Sequence, residues 1–520
     1  MEKTYYSILN DALGPIMTGP SSSHSAGCCR IGNVARSLFG RDIVKADVVF
    51  EENGSYPSTY IGQGSDFGFT GGLLGYHTDD PRLKDAVKTA AFEKREIVFK
   101  KESLGLIHPN QAEIRIYDED GNIELTLMTF SVGGGMFEIT KLNSFDVYIT
   151  GGENLAFVFA PASSEEKISQ ILITNGYEYT AETKDSETLF TVKTEDRIDE
   201  LKSVLPSDVT ARCAPAVLPV ILSNSVPPFH NAEEAVIYAK KHSKKPYELA
   251  YDYETAYGKI TPEEIDMKIR RIKEAMEAST VPPDPDETEI YGFLPYKGRL
   301  MANKLPEAAV IDTGILNKAM LAAVSVMENS CAHNIIVAAP TAGSSGVIPA
   351  GIVTIGRESG KNDEEIEKAL LVAGLTGVFI ANNATFAGET GACQAENGSA
   401  SAMAAAGITY LLGGNTEDVF KAASMALQNM LGLICDPVAG LTEIPCISRN
   451  VSALSNAVMS ANMVMLGFDP VIPFDETVNT MKKVGEQLPA ELRCTCGGGL
   501  CTSPTGCMLQ KKMESVRKTI

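Results

Sequence analysis

The chain has 520 residues, of which 44% are hydrophobic and 21% are charged, a composition typical of a globular protein. Single cores stop growing at about 250–300 residues, so this length predicts roughly three or four domains. The formal charge of −21 argues against nucleic acid or an anionic membrane surface as the main partner.

The sequence predicts no membrane-spanning helix, because it contains no run of about 18 apolar residues. The first residues, MEKTYYSILNDALGPIMTG, lack the basic-then-apolar pattern of a signal peptide. We therefore expect a cytoplasmic protein. Thiols stay reduced in that compartment, so the 11 cysteines need an explanation other than disulfides. Some are expected to be small buried apolar residues, and others metal ligands.

Residues 1–153 combine a short helix with strand-like alternation, which predicts an α+β domain. In EIRIYDEDGNIELTLMTFSV, Asp120 and Gly121 form a hairpin signal between two strands. Three glycine-containing clusters interrupt this region: GPSSSHSAG, GQGSDFGFTGG and SVGGG.

Residues 154–222 predict a small ferredoxin-like domain with the order βαββαβ. NLAFVFAP is a strand pattern, SSEEKISQILITNG a capped helix, and YEYTAET with TLFTVKT a hairpin. A second helix, DRIDELKSVL, and a last strand complete the unit. Its size and order resemble an ACT domain, a common amino-acid-sensing regulator, although a plain spacer domain has the same pattern. SNSVPPFH follows as a linker.

Residues 223–520 predict a mostly α-helical domain. ITPEEIDMKIRRIKEAMEA has apolar positions at helical spacing, and VPPDPDETE breaks that pattern as an exposed loop. Further along, segments such as EEIEKALLVAGLTGVFIANN are too apolar for surface helices and must be buried on most sides. Glycine-rich loops between them carry most of the polar residues.

Three cysteines lie in distinct loops of this helical region. Cys393, Cys435 and Cys446 are separated by 42 and 11 residues, which is not the spacing of a zinc ribbon or a bacterial ferredoxin. Pro437 and Pro445 indicate a stiff loop that could fix two thiolates at a defined distance. Judged by spacing alone, the three cysteines could be either metal ligands or buried structural thiols.

The motifs around these cysteines carry a resemblance to a known family. GACQAENGSASAMAAAG and LGLICDPVAGLTEIPCISRN are very similar to the iron–sulfur-dependent L-serine dehydratases. ENSCAHNIIVAAPTAGSSGVIPA resembles that family's PTAGS loop, and LPAELRCTCGGGLCTSPTG its closing segment. GPSSSHSAG, HPN and SVGGG match its β portion. The chain thus resembles a β-type domain (1–153), an ACT-like domain (154–222) and an α-type cluster-binding domain (223–520) joined in one chain.

The resemblance implies a lyase that converts L-serine to pyruvate and ammonia. It implies that Cys393, Cys435 and Cys446 ligate a 4Fe-4S cluster, with one iron free of protein thiolate. That iron can act as a Lewis acid on the β-hydroxyl, which also implies sensitivity to oxygen. No pyridoxal lysine is required. ACT modules often pair, so a homodimer is expected.

The resemblance also assigns residues to the site. His108 and Ser65 are the predicted catalytic residues, and an imidazole suits proton transfer near neutrality. Two loops of hydroxyls and backbone donors suit the carboxylate of an amino acid. The predicted substrate-binding residues are Ser21, Ser22, Ser23, His24, Asp66, Asn110, Thr341, Gly343 and Ser344.

The sequence departs from the family pattern at three places. The family's GHGTD is Gly62–Asp66 here, with Gln63 in place of a histidine, and glutamine cannot exchange a proton. A glycine-rich stretch of the family is replaced by residues 291–296, YGFLPY. The tail has additional thiols, one of which is a candidate cap for the open iron: Cys494, Cys496, Cys501 and Cys507.

Three other functions remain open from the sequence. Cysteine desulfidation is one, because a related family shares the α-type core. Threonine is a second candidate substrate, limited by room for one methyl group. A non-catalytic amino-acid sensor built on the ACT-like domain is the third, and it predicts no cluster.

Overall fold

A computed structural model of the chain describes residues 5–194, 197–223, 225–284 and 292–517. It contains three regions of different architecture, an α+β region, a small sheet with two helices, and a helical region. The molecule is therefore multidomain with mixed sheets, as the sequence predicts.

The N-terminal region is built on a six-stranded sheet of order β3-β2-β4-β5-β6-β7, in which only β2 and β3 are parallel. The Asp120-Gly121 hairpin is present between β4 and β5, and Asp118 Oδ1 closes it by accepting from the backbone of Asn122 at 2.7 Å. The strands are β1 (Ile16–Thr18), β2 (Lys45–Glu51), β3 (Glu96–Glu102), β4 (Gln111–Tyr117), β5 (Ile123–Gly133), β6 (Met136–Leu142) and β7 (Phe145–Ile149). The helices are α1 (Gly27–Phe39), α2 (Tyr56–Thr59), α3 (Ser65–Leu74) and α4 (Ala86–Phe92).

Helix α1 lies in the core of this region and packs closely against α3. The close approach depends on glycine, because a Cβ at Gly72 would lie 2.2 Å from the carbonyl oxygen of Cys29. The buried face of α1 joins the inward residues of β4 and β5 in one apolar cluster. The residues immediately before α1 are the GPSSSHSA turn, so this packing fixes where that turn lies.

The second region has the predicted βαββαβ order. Its strands are all antiparallel in the order β11-β8-β10-β9, and its helices complete a separate small core. The elements are β8 (Leu155–Pro161), α5 (Glu165–Thr174), β9 (Glu178–Lys184), β10 (Glu187–Lys193), α6 (Ile198–Val204) and β11 (Thr210–Ala214). This is the ferredoxin-like topology expected from the sequence.

The third region is helical and contains the largest apolar core. Its elements are α7 (Ala232–His242), α8 (Pro246–Tyr257), α9 (Pro262–Ser279), α10 (Gly298–Lys304), α11 (Ile315–Cys331), β12 (Ile335–Val337), α12 (Ile355–Glu358), α13 (Asp363–Asn383), α14 (Gly388–Cys393), α15 (Ser399–Leu411), α16 (Thr416–Gln428), α17 (Cys446–Met465), α18 (Phe474–Gln487) and α19 (Pro504–Arg517). Helix α13 begins with charged residues, but from Ala369 to Ala381 it carries no charge and every residue is buried. The VPPDPDETE loop lies largely outside the described residues.

The first residues of the chain belong physically to this helical core. The turn Ile8–Ala12 packs on α13 at Gly377. A Cβ at Gly377 would lie only 2.9 Å from the Cβ of Ala12, so glycine at this position makes the close packing possible. Glu254 of α8 accepts from the backbone of Ile8 at 2.8 Å. Strand β1 then pairs antiparallel with β12. The chain is thereby anchored to the helical region at two places just before the serine turn, residues 19–26.

Within the described ranges, no single helix is long and apolar enough to cross a membrane. One pair of segments, Asp363–Asn383 and Gly388–Leu411, reaches that length and composition only when taken together across a bend of 82°.

Candidate active site

One pocket lies where the N-terminal region meets the helical region. Its wall combines the serine turn and the β5–β6 turn with the loops that carry the cysteines. The lining residues are Ser21, Ser22, Ser23, Gln63, Gly133, Gly134, Thr341, Gly343, Phe386, Ala387, Gly388, Glu389, Glu396, Cys435, Pro437, Thr442, Cys446 and Cys494. The structure thus brings together residues that are more than 400 positions apart in the sequence.

The three predicted metal-binding cysteines are all buried at or beneath this pocket. Cys393 ends α14, directly after Ala392, whose φ of 61° and ψ of −169° belong to a region that residues with a Cβ rarely adopt. Cys446 is the first residue of α17. Cys435 lies in the loop between them, and its backbone N–H donates to Leu492 O at 2.9 Å.

A half-buried arginine lies beside the thiols. Arg449 Nη1 is 3.5 Å from Cys393 Sγ, and Arg449 Nη2 pairs with Asp436 Oδ1 at 2.8 Å. A hydrogen bond from Cys435 and the Arg449 charge lower the pKa of Cys393, against the effect of burial. Contact with Cys393 and Cys494 raises the pKa of Cys435, and burial raises that of Cys446. Thiolate character, which metal ligation requires, is therefore favoured first at Cys393.

Glu396, which is not among the residues predicted from the sequence, lies among these thiols. One ligand atom each from Cys393, Glu396 and Cys435 lie within 4.8 Å of one another. Burial, followed by the nearby Cys393, raises the pKa of Glu396 well above its usual range. Thr341 Oγ1 donates to Glu396 Oε1 at 2.9 Å. Thr341 belongs to the second hydroxyl loop, residues 341–345, and this bond connects that loop to the thiol cluster.

The second hydroxyl loop is held by the helix that begins at Cys446. Asn450 of α17 donates to Gly343 O at 2.8 Å, and Thr341 Oγ1 lies 3.2 Å from Ser344 Oγ. A Cβ at Gly343 would lie 2.8 Å from Glu396 Oε1, so a side chain there would displace that carboxyl. Of the three residues predicted here, Thr341 and Gly343 line the pocket, and Ser344 lies behind them.

The first hydroxyl loop is the serine turn, residues 19–26, and its hydrogen bonds are organised around His24. Thr59 Oγ1 donates to Ser55 O at 2.7 Å, so the His24 Nε2 that lies 2.9 Å away must be the donor to Thr59. Burial lowers the pKa of His24 to about 4, which keeps the ring neutral. Its Nδ1 then accepts from Ser23 at 3.0 Å or Ser21 at 3.2 Å. His24 thus orients the serines that face the pocket, without lining the pocket itself.

The two loops meet directly. Ser22 Oγ accepts from the backbone N–H of Ala342 at 3.4 Å, and Ser131 donates to Ser23 O at 2.7 Å. Both loops consequently present small polar groups to one space, which is the arrangement expected for a bound carboxylate.

Glu389 is a second acidic residue that the sequence analysis did not select. It lines the pocket and accepts from Ser23 Oγ and from Asn110 Nδ2, each at 3.3 Å. Asn110 also donates its backbone N–H to His108 Nδ1 at 3.0 Å. Burial lowers the pKa of His108, and the charge of Glu389 partly offsets this. His108 is not among the residues that line the pocket, and its connection to the lining residue Glu389 runs through Asn110.

Gln63, the residue that replaces a family histidine, has a structural contact. Its Nε2 donates to Gly440 O at 3.0 Å, in the turn between Cys435 and Cys446. The other departure, residues 291–296, begins with Tyr291, which lies outside the described residues. The residues that follow Tyr291 are held by Glu443, whose carboxylate accepts from the backbone N–H of Phe293 at 2.7 Å.

The structure does not bring Ser65 and Asp66 to the wall of the pocket. Ser65 is the first residue of α3, fully buried, and its hydroxyl lies beside the thiol of Cys28. Asp66 follows it on the same helix and is half-buried. Their assignment as catalytic and substrate-binding residues stays a prediction.

The tail cysteines separate into two groups. Cys494 lines the pocket, hydrogen-bonds with Cys435 and donates its backbone N–H to Cys435 O at 3.0 Å. Cys496 and Cys501 instead donate to Pro437 O at 3.4 and 3.2 Å, and Cys507 is exposed.

The sequence does contain a signal that could have identified Glu389 and Glu396. Glu389 lies four residues before Cys393 and Glu396 three residues after it, within the single motif GETGACQAENG. The signal available in the sequence was the closeness of two acidic residues to a predicted metal-binding cysteine, because carboxylates near such a ligand are candidates for its surroundings. What the sequence does not contain is the contact with Asn110, which depends on the N-terminal region docking on α14.

The donor set fits an iron–sulfur cluster. Cys435 and Cys446 line one pocket, and the buried Cys393 lies beside Cys435. A cationic group stabilises thiolate charge, and glycine-containing loops leave space in front of the thiols. Thiolates are the ligands such clusters take in proteins.

Comparison with known protein families gives a match that spans more than half of the chain. Residues 184–501 match the family described as "Serine dehydratase alpha chain". The matched range contains all three predicted cluster ligands and both missed glutamates.

Individual relatives support the same relationship. The chain is 45% identical over 191 residues to a probable L-serine dehydratase alpha chain of Bacillus subtilis, which covers 37% of this chain and 64% of the relative. It is 38% identical over 279 residues to the L-serine dehydratase alpha chain of Peptoniphilus asaccharolyticus, covering 53% of this chain and 95% of the relative. A probable L-serine dehydratase beta chain of Bacillus subtilis is 47% identical over 146 residues, or 28% of this chain and 64% of the relative.

Proposed function

We propose that this chain, which belongs to the serine dehydratase alpha-chain family and is a lyase, converts L-serine to pyruvate and ammonia. The observation that carries the proposal is a single pocket in which buried thiols face two loops of hydroxyl and backbone donors. The names of the relatives support the substrate.

Cys393, Cys435 and Cys446 are the proposed ligands of a 4Fe-4S cluster. When bound, the cluster would supply a Lewis acid for the departing β-hydroxyl group. The support is the donor set, three buried thiols with Arg449 beside Cys393. Glu396 is placed to hold Thr341 and to fix the wall of the pocket next to Cys435.

The two hydroxyl loops are the proposed site for the substrate carboxylate. Ser21, Ser22 and Ser23 offer hydroxyl groups, and Thr341 and Gly343 face them across the pocket. Neutral His24 accepts a hydrogen bond from a serine hydroxyl and carries no charge, so it orients the serines without adding electrostatic attraction. Hydrogen bonds to a charged group contribute about 1.5–3 kcal/mol each, enough to set the orientation of a small amino acid.

Glu389 is the proposed acceptor of the α-proton, and His108 is the proposed catalytic residue that assists it. Glu389 lines the pocket and can accept a proton from the α-carbon side. Asn110 donates hydrogen bonds to both Glu389 and His108, which positions the two groups but transfers no proton between them. Because His108 Nδ1 accepts from the Asn110 backbone, the proton of the neutral ring is on Nε2. Loss of the α-proton and the hydroxyl leaves an enamine, which tautomerises and hydrolyses to pyruvate and ammonia.

The ferredoxin-like region, residues 154–222, is proposed as an ACT-like regulatory domain. β9 and β11 are the edge strands of its antiparallel sheet, and β11 packs against α1, which leaves β9 as the edge that can pair with a second copy. A homodimer formed in this way is part of the proposal.

The substrate is tested by assaying the anaerobically reconstituted chain with L-serine, L-cysteine and L-threonine at matched concentrations. We expect pyruvate and ammonia from L-serine at the highest kcat/KM. An additional methyl group must fit against Phe386 and Gly343, so L-threonine is expected to react about 10-fold or more slowly. Sulfide release from L-cysteine at a higher kcat/KM than the serine reaction would assign the chain to the desulfidase alternative.

A further inference from the structure

A second cleft, of about 520 Å³, lies where the three regions of the molecule meet. Helix α1, the loop before α4, the segment that leaves β11 and helix α9 form its walls. The lining residues are Pro15, Ile16, Cys29, Arg30, Asn33, Ser37, His77, Thr78, Asp79, Pro215, Ala216, Val217, Leu218, Pro219, Lys268 and Arg271. None of them lines the candidate active site.

The charge of this cleft is opposite to that of the protein. The chain has a net charge of −21, yet Arg30, Lys268 and Arg271 line the cleft with Asp79 as the only acidic residue. Asp79 pairs with Arg271. Among the described residues, no carboxylate lies within ion-pair distance of Arg30 or Lys268. Two positive charges therefore have no counter-ion in the cleft.

Arg30 is the more informative of the two because it is only 4% exposed. Its Nη1 donates to Gly135 O at 2.8 Å and contacts Met136 Sδ, and its other nitrogens have no acceptor in the described part of the chain. Burial lowers the pKa of Arg30 to about 10, and Asp11, the nearest acidic influence, is itself raised to a pKa of about 7. A buried charge without a partner is costly, and a bound anion would remove that cost.

We propose that this cleft binds the carboxylate of a small metabolite, with Arg30 and Lys268 as the groups that receive it. A planar guanidinium matches a carboxylate, and the cleft is large enough for a three-carbon amino acid or 2-oxo acid. The apolar segment Pro215–Pro219 would cover the carbon chain of the ligand.

The position of Arg30 connects this cleft with the candidate active site. Arg30 lies on α1, which begins directly after the serine turn, and it donates to Gly135 in the turn that also contains Gly133 and Gly134. Those two glycines line the candidate active site. A ligand bound to Arg30 would therefore act on the side chain that holds the turn of residues 133–135, which is one wall of that site. The segment Pro215–Pro219 connects the cleft to the ferredoxin-like region.

The proposal is tested by calorimetric titration of the full-length chain with pyruvate and, separately, with L-alanine, which has no leaving group and cannot be dehydrated. We expect saturable binding of at least one probe, and the stronger of the two identifies the ligand as a 2-oxo acid or an amino acid. Lys268→Glu should raise the dissociation constant at least about 10-fold, whereas Lys482→Glu, the same change on exposed α18, should leave it unchanged. Arg30→Met should abolish binding.

Equal affinities in the Lys268→Glu and Lys482→Glu proteins would overturn the proposal, as would binding of inorganic phosphate but of neither carboxylate. Because Lys268 is half-exposed on the surface of α9, its substitution keeps the test valid if Arg30→Met does not fold. The titrations need no turnover, so their outcome is independent of whether L-serine is the substrate.

Discussion

At the scale of single residues, the acidic side chains around Cys393 are the main addition of the structure to the sequence. Glu389 faces the pocket, and Glu396 lies against the thiols with a pKa raised by burial. The two carboxyls occupy one short motif but have different surroundings. Different surroundings give neighbouring acids different chemical roles.

The role of Glu389 is tested by Glu389→Gln. The amide keeps the shape and the hydrogen bonds to Ser23 and Asn110 in part but cannot take a proton, so kcat should fall at least about 100-fold. The iron–sulfur absorbance and the KM should change little. Glu476→Gln, at an exposed position of α18, is the matched control. A Glu389→Gln enzyme with normal kcat would exclude this carboxyl as the acceptor of the α-proton.

Asp11 makes a prediction about pH and stability. Burial, opposed by a backbone hydrogen bond from Ser7, raises its pKa from 3.8 to about 7 in the folded protein. The folded state therefore binds the Asp11 proton more tightly than the unfolded state does. The stabilisation that this bound proton gives the folded state is lost as the pH rises from about 4 through about 7. By about pH 8 the cost is about 4 kcal/mol.

We expect Asp11→Asn to lack this loss, so its free energy of unfolding relative to the wild type should increase between pH 5 and pH 8. Denaturant unfolding at both pH values measures the difference. Asp120→Asn, in the exposed hairpin turn, should show no such trend. A parallel pH profile for Asp11→Asn and wild type would contradict the assignment.

At the scale of elements, the site depends on loops that are held from both sides. The loop with Cys435 pairs with the tail through Leu492 and Cys494, and Asp436 accepts from the backbone of Leu500 at 2.7 Å. The same Asp436 pairs with Arg449 of α17. The tail segment is therefore part of the wall of the site and not an appendage.

Gly388 tests how closely α14 packs on the site. A Cβ there would lie 2.7 Å from Glu396 Oε2 and 3.7 Å from Cys435 Sγ. Gly388→Ala should displace the Glu396 side chain and lower turnover at least about 10-fold, because small displacements at a reacting centre are costly. Thermal unfolding should change little, since α14 is a short helix at the edge of the pocket. Wild-type turnover in Gly388→Ala would show that the packing there is not required.

At the scale of the whole molecule, the sequence predicted most of the architecture because its signals are local. Alternation and the Asp120-Gly121 turn identify the β4–β5 hairpin, and the βαββαβ order follows from short contiguous patterns. The serine dehydratase relationship also rests on contiguous motifs around the three cysteines.

What the sequence could not predict are contacts between distant segments. The turn Ile8–Ala12 lies in the core of the helical region, held by Glu254 more than 240 residues away. Asn110 and Glu389 meet only because β1 pairs with β12 and docks the N-terminal region on the helices. Ser65, chosen by motif position, lies beside Cys28 and does not line the pocket, because α3 packs its first residue against α1.

The central claim is that three buried thiols hold a cluster on which turnover of L-serine depends. The most direct measurement compares wild type with Cys435→Ala after identical anaerobic reconstitution, recording bound iron and sulfide together with pyruvate formed from L-serine. Cys213→Ala, at a half-buried thiol of β11 away from the pocket, is the control. We predict that Cys435→Ala loses both the cluster absorbance and pyruvate formation, while Cys213→Ala keeps both. Full pyruvate formation by Cys435→Ala would contradict the account.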